Sequence, residues 1–216
     1  MRSYQESGRN FRLILLSGVV SLLAFLALSM NAAPDQKNES PKTDLATFGG
    51  GCFWCTEAVF EKFKGVKAVT SGYAGGQKPN PTYREVCTGA TGHAEVIQVE
   101  YEPAIISYDQ LLEIFWEAHD PTTMNRQGGD EGTQYRSVIF YHNEAQKAAA
   151  QKAKDQASGL FGKPIVTEIS PFTKFYSGEA YHQDYYRRNS SKPYCSVVIT
   201  PKLQKLQKAK VIPATK

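Results

Sequence analysis

The chain has 216 residues, 41% of them hydrophobic and 21% charged, with 25 Lys and Arg against 21 Asp and Glu. That length and ordinary composition suit one folded domain with tails. They exclude a disordered chain, a collagen-like repeat and a disulfide-dense mini-protein. The net charge of +4 is too small to argue for nucleic acid, and Arg2, Arg9 and Arg12 against Glu6 place +2 of it in residues 1–30.

The first element is a leader. No charge occurs between Arg12 and Asp35, and Leu13 to Met30 is apolar apart from Ser17, Gly18, Ser21 and Ser29. Arginines before such a run match the charged and apolar regions of an export signal. Two outcomes stay open: cleavage near Ala27-Leu28-Ser29 or by Ala32-Ala33, or retention as an anchor in the inner membrane with the main domain outside. A polar linker rich in Pro, Asp, Lys and Ser follows, so residues 1–43 are read as leader plus linker, 44–200 as the main domain and 201–216 as a basic tail.

From Leu45 short β-like runs alternate with helical ones. Leu45 to Phe48 reads as a strand ending in Gly49-Gly50-Gly51, and a helix is expected from Cys52 to about Phe63. Val66 to Tyr73 is β-like; Thr82 can cap a short turn through Val86. His93 to Tyr101 alternates, with Ile97, Val99 and Tyr101 on one face. Ser107 caps a helix carrying Leu111, Leu112, Phe115 and Trp116. Ser137 to Tyr141 is a strand, Glu144 to Ser158 a surface helix, and Ile165 to Ile169 another strand. Past Tyr176 a short helix from Ser177 to Arg188 and loop-like chain, apart from Ser196 to Thr200, are expected. Residues 202–216 hold five lysines and no acid, which reads as a solvated end. The fold class is therefore α+β: a two-layer sandwich with a mixed sheet and a loop-rich C-terminal segment.

Chemistry concentrates at four places. Cys52 follows a strand and three glycines and opens a helix, where unpaired N–H groups and a partial positive charge favour a thiolate. No Gly-Lys-Ser/Thr follows, so the glycines are not a phosphate loop. Phe53 and Trp54 cannot both face the core at a helix start, which leaves at least one to wall an apolar pocket beside the sulfur. Cys52 and Cys55 form a C-x-x-C pair, but Cys87 and Cys195 are not arranged as the second pair that zinc would need, so no metal is assigned. In Gly92-His93-Ala94-Glu95, Glu95 shares the parity of Ile97 and Val99, which points its carboxyl toward the core side, where burial raises a pKa; a strand-end glutamate in solvent is the other reading of the same parity. The long polar loop Gln127 to Ser137 offers Asp130, Tyr135 and Arg136.

Taken in order, Gly51-Cys52-Phe53-Trp54, Asn80-Pro81-Thr82-Tyr83, Gly92-His93-Ala94-Glu95, His119-Asp120-Pro121, Gly132 to Ser137 and Tyr181-His182-Gln183 resemble the peptide methionine sulfoxide reductase A family. The resemblance runs from about residue 45 to 195. It implies reduction of the S epimer of methionine sulfoxide, free or in oxidised proteins, by a monomer with no bound cofactor and an external thioredoxin-like dithiol as reductant. It implies Cys52 as nucleophile, Glu95 as acid, Tyr83 and Tyr135 holding the sulfoxide oxygen, Asp130 placing substrate through water, and Phe53 and Trp54 forming the methyl pocket. His182 and Tyr185 match positions near the site without a chemical role.

Cys195 matches a family resolving position on a mobile C-terminal segment, and Cys87 a buried spectator. Cys55 lies three residues from Cys52; on a helix their Cβ atoms are about 5–6 Å apart where a disulfide wants about 3.8 Å, so a modest distortion brings them together. Which of Cys55 and Cys195 acts first stays open. Export to an oxidising compartment further implies a membrane-relayed dithiol donor. A thioredoxin-like thiol–disulfide oxidoreductase using Cys52 and Cys55 is the alternative enzyme, and an exported binding module with disulfides or zinc the non-enzymatic one.

Overall fold

A computed structural model describes residues 42–213. The leader reading lies outside the described residues, apart from the last two positions of its linker. Among the described residues no helix is long and apolar enough to cross a membrane.

The chain order is β1 (Asp44–Gly50), α1 (Phe53–Phe60), β2 (Val66–Ala74), α2 (Tyr83–Val86), β3 (Ala94–Tyr101), α3 (Tyr108–Ala118), then the short pair β4 (Arg126–Gln127) and β5 (Asp130–Glu131). Next come β6 (Ser137–Tyr141), α4 (Glu144–Ala157), β7 (Glu168–Pro171), β8 (Phe175–Ser177), α5 (Tyr185–Asn189) and α6 (Thr200–Lys208). Six strands form one mixed sheet in the order β7-β6-β1-β3-β2-β8. All neighbours are antiparallel except β6 and β7.

The alternation of β3 decides how the layers lie. Ile97, Val99 and Tyr101 pack under the helices with Ala46 and Phe48 of β1, while Ala94 and Val96 join a small cluster on the other face with Val138 and Phe140. Phe48 meets Phe60 of α1 and Phe115 of α3 with ring centroids 5.5 and 5.2 Å apart. Glu95 therefore points into the helix layer, as its parity predicts. Capping boxes start α2 (Thr82 with Glu85) and α3 (Ser107 with Gln110), both at the expected caps.

Four expectations change. The Ser177–Arg188 helix is instead β8, which ends at Ser177 on the edge of the sheet, a 3-10 turn at Ala180–His182, and α5 after Asp184, whose φ of 52° breaks the helix. Ser196 to Thr200 is helical: a π-turn over Cys195–Ile199 runs into α6. The basic end is not solvated throughout. Ile199, Leu203 and Leu206 recur at helical spacing and are buried with Ile212, so the packed unit extends past residue 200; Lys205, Lys208 and Lys210 stay exposed, while the half-buried Lys202 donates to Ala118 O at 3.0 Å. The strand expected at Ile165–Ile169 lies slightly later, where Glu168 to Pro171 pairs with β6.

Candidate active site

The site forms where β1 hands over to α1. Gly51 turns the chain with φ +89°, and a Cβ there would stand 2.6 Å from Gln127 Cβ, so the loop can close over the helix start only on glycine. Cys52 becomes the N-cap residue of α1, its carbonyl accepting from Cys55 N–H at 3.0 Å. Its side chain is 7% exposed.

Glu95, 1% exposed, reaches the same point from β3, and its Oε2 accepts the Phe53 N–H at 3.1 Å. Burial drives its pKa up to about 8; the charges of Asp130 and Cys55 add to this, and the Phe53 N–H partly offsets it. At neutral pH the carboxyl therefore holds its proton beside the sulfur.

Burial also raises the Cys52 thiol, and Cys55 and Glu95 push it further. This corrects the expectation of an ionised thiol at the helix start. The Phe53 N–H that would stabilise a thiolate is taken by Glu95, and desolvation outweighs the field of a two-turn helix. Cys55 moves the other way, to about 7, drawn down chiefly by hydrogen bonding with Cys52 and further by Lys202.

Tyr83 opens α2, and Tyr135 arrives from the loop that leads into β6. The Tyr83 N–H donates to Glu179 Oε1 at 2.8 Å, and its ring lies 6.4 Å from that of Phe53. Tyr135 ends the 3-10 turn Thr133–Tyr135. Burial and the nearby Glu95 raise both phenols, so both stay hydrogen-bond donors. The loop carrying Tyr135 and Asp130 is braced by His119. Its Nδ1–H donates to Phe115 O and its Nε2 accepts from Ser137 Oγ, each at 2.7 Å. Burial lowers this imidazole to about 4, so it stays neutral. Arg136 ties the loop to the strand lead-in: its Nη2 donates to Gly92 O at 3.1 Å and its Nη1 to Thr133 O at 2.9 Å.

Phe53 is fully buried among Tyr73, Tyr83 and His182, whereas Trp54 is part-exposed. The Trp54 indole N–H donates to His182 Nδ1 at 3.0 Å, and its ring stacks on Tyr185 at 3.6 Å and 6°. Because Nδ1 accepts, the neutral His182 carries its proton on Nε2. His182 and Tyr185 thus set the Trp54 ring.

Tyr194 is a site residue that sequence reading missed, although it directly precedes Cys195. Its hydroxyl donates to Asp130 Oδ2 at 2.6 Å and lies 3.7 Å from Cys55 Sγ. Cys195 is completely buried on the π-turn beside α1, close enough for Cys55 to help burial raise its pKa. Cys87 is exposed rather than buried, because the short α2 ends there at the surface. All four cysteines are free thiols, and among the described residues no group of three or more His, Cys, Asp or Glu is placed to hold a metal ion.

Comparison with known proteins agrees with this geometry. A family model described as peptide methionine sulfoxide reductase matches residues 44–214. Peptide methionine sulfoxide reductase MsrA of Saccharolobus solfataricus is 55% identical over 165 residues, covering 76% of this chain and 93% of the relative. The crystal structure of Mxr1 from Saccharomyces cerevisiae in reduced form superposes with a TM-score of 0.68 at 39% identity, over 71% of this chain and 90% of that one. Mxr1 in complex with Trx2 gives 0.50 at 30% identity, over 70% and 91%.

Proposed function

The chain belongs to the peptide methionine sulfoxide reductase family and reduces methionine S-sulfoxide with thiols, without a bound cofactor; for the residues that carry out this reaction we propose the following division of labour. The substrate's methyl group rests against Trp54 over the buried Phe53. The hydroxyls of Tyr83 and Tyr135 hold the sulfoxide oxygen. Glu95 supplies a proton to that oxygen while Cys52 sulfur attacks the sulfoxide sulfur. The S–O bond breaks and the oxygen passes to Cys52 as a sulfenic acid while the bond that the attack formed between Cys52 sulfur and the substrate sulfur breaks, and methionine leaves. The thiol proton of Cys52 replaces the one that Glu95 gave. Asp130 acts through the Tyr194 hydroxyl and the water around it. The observation that carries this reading is the buried Glu95 carboxyl, fixed by the Phe53 N–H directly beside Cys52, where burial favours its protonated form.

Resolution then runs as a relay. Cys55, the more acidic thiol of the pair, attacks the sulfenic sulfur, forming Cys52–Cys55 disulfide and releasing water. Cys195, next to Cys55, attacks that bond in turn, which frees Cys52 and leaves Cys55–Cys195. An external dithiol reduces the last disulfide; the complex of Mxr1 with Trx2 supports a thioredoxin-type donor. Export by the N-terminal run places this chemistry outside the inner membrane, as the Arg-led apolar segment supports. Sequencing the N-terminus of the mature protein tests that placement, and an uncleaved cytoplasmic chain rejects it.

The test of the relay is one turnover without reductant, quenched with a thiol-blocking reagent at successive times and mapped by mass spectrometry. Cys52–Cys55 must appear before Cys55–Cys195. A first disulfide joining Cys52 to Cys195 rejects the order. Cys52→Ser must abolish all turnover.

A further inference from the structure

Glu57 is a carboxylate in the middle of the apolar face of α1, and only 1% exposed. Nothing in the reaction above uses it. Its Oε1 accepts the Asp184 N–H and its Oε2 the Tyr185 N–H, both at 3.1 Å. These are the first backbone donors of α5. Asp184, in a left-handed conformation, makes no side-chain cap there, and five residues cannot hold a helix alone. The cap that α5 lacks is supplied from α1.

The tether leads back to the pocket. Tyr185, whose N–H Glu57 holds, stacks on Trp54. Trp54 and Glu57 lie three residues apart on one face of α1. On the other side of Asp184, Gln183 pins the chain to the sheet. Its Oε1 accepts the Ser71 N–H at 3.0 Å and its Nε2 donates to Ser71 O at 2.9 Å. The strap is thus held on both sides of Asp184, and besides the contacts of Trp54 with His182 and Tyr185 the Glu57 tether joins its backbone to the helix that bears the nucleophile and Trp54.

We propose that Glu57 is a positioning residue of the substrate pocket: by holding the Asp184 and Tyr185 N–H groups it keeps the Tyr185 ring and the His182 acceptor on Trp54, and so fixes the wall that meets the substrate's methyl group. The proposal rests on the reading of Trp54 as that wall. Glu57 touches no reacting atom. A Gln at 57 keeps the size but presents one donor where an acceptor is needed, leaving one α5 N–H unpaired.

The experiment uses the full chain with Trp116→Phe, so that Trp54 is the only tryptophan. Glu57→Gln, Tyr185→Ala and the double variant are compared. In each, Trp54 emission is expected to shift red and become more accessible to acrylamide. KM for a methionine sulfoxide peptide is expected to rise about tenfold, the factor that 1.4 kcal/mol produces, with kcat near its original value. The double variant is expected to be no worse than the worse single one, because both act on one wall.

Unchanged emission and KM in Glu57→Gln overturn the proposal, as does a fall in kcat with KM unaltered, or additive effects in the double variant. If Glu57→Gln does not fold, Tyr185→Ala alone decides: native-like emission and KM there reject the tether's role. Failure of the pocket reading itself shows separately, as an unaltered KM in Trp54→Ala, while the emission measurements still report on Glu57.

Discussion

Glu95→Gln is the most informative single change. It keeps the volume of the side chain and an acceptor for the Phe53 N–H, but removes the proton that the departing oxygen requires. With its pKa raised from an ordinary 4.5 to about 8, the carboxyl of the unsubstituted chain is roughly nine-tenths protonated at pH 7. Losing a positioned general acid costs roughly 10²–10⁴ in rate. The assay is a rapid-quench single turnover without reductant, counting methionine formed per enzyme. In the unsubstituted chain the first step slows as pH rises through about 8, where Glu95 ionises; in Glu95→Gln that limb is absent. A variant rate within about threefold of the original at pH 7, far from the expected loss, or a persisting fall at pH 8 in the variant, refutes Glu95 as the acid.

The same shift fixes a stability signature. A carboxyl with a folded pKa above its unfolded value stabilises the native state fully below about 4.5, and this is lost as pH rises through about 8. The full range corresponds to at most roughly 5 kcal/mol. Glu95→Gln, neutral throughout, should therefore match the original chain in urea midpoint near pH 4 and exceed it near pH 9. Equal midpoints at both pH values contradict the buried, proton-bearing state.

Removing both phenols with Tyr83→Phe and Tyr135→Phe should slow the first step by roughly 10²–10³, and either alone by less, since the other still holds the oxygen; an undiminished double variant excludes them as the oxygen's donors. Lys202→Met removes the cation that draws the Cys55 thiol down, so the Cys55 titration, followed by thiolate absorbance, should move upward and first-disulfide formation should slow at pH 7, with methionine release unaffected. No movement of that titration separates Lys202 from the cysteine pair. Leu206→Ala should destabilise the fold by about 2–5 kcal/mol in urea, because its side chain is buried under α6; a change near zero would restore a solvated C-terminal end.

What was readable in the chain follows from local geometry. Three glycines, Cys52 and an apolar run announce a strand, a tight turn and a helix start. Alternation in β3 alone sends Glu95 to the helix side, because a strand reverses its side chains at each residue. Thr82 and Ser107 announce their helices by capping chemistry that spans three residues. Only the tertiary structure decided the rest. Trp54 meets His182, Cys55 meets Tyr194, and Glu57 meets Asp184 across more than a hundred residues of chain. An acid within the apolar face of α1 was the one local hint of Glu57. The charge state of Cys52 reversed for the same reason: a helix start favours a thiolate, but burial and the competing Glu95 carboxyl come from elements distant in sequence, and desolvation outweighs a local dipole.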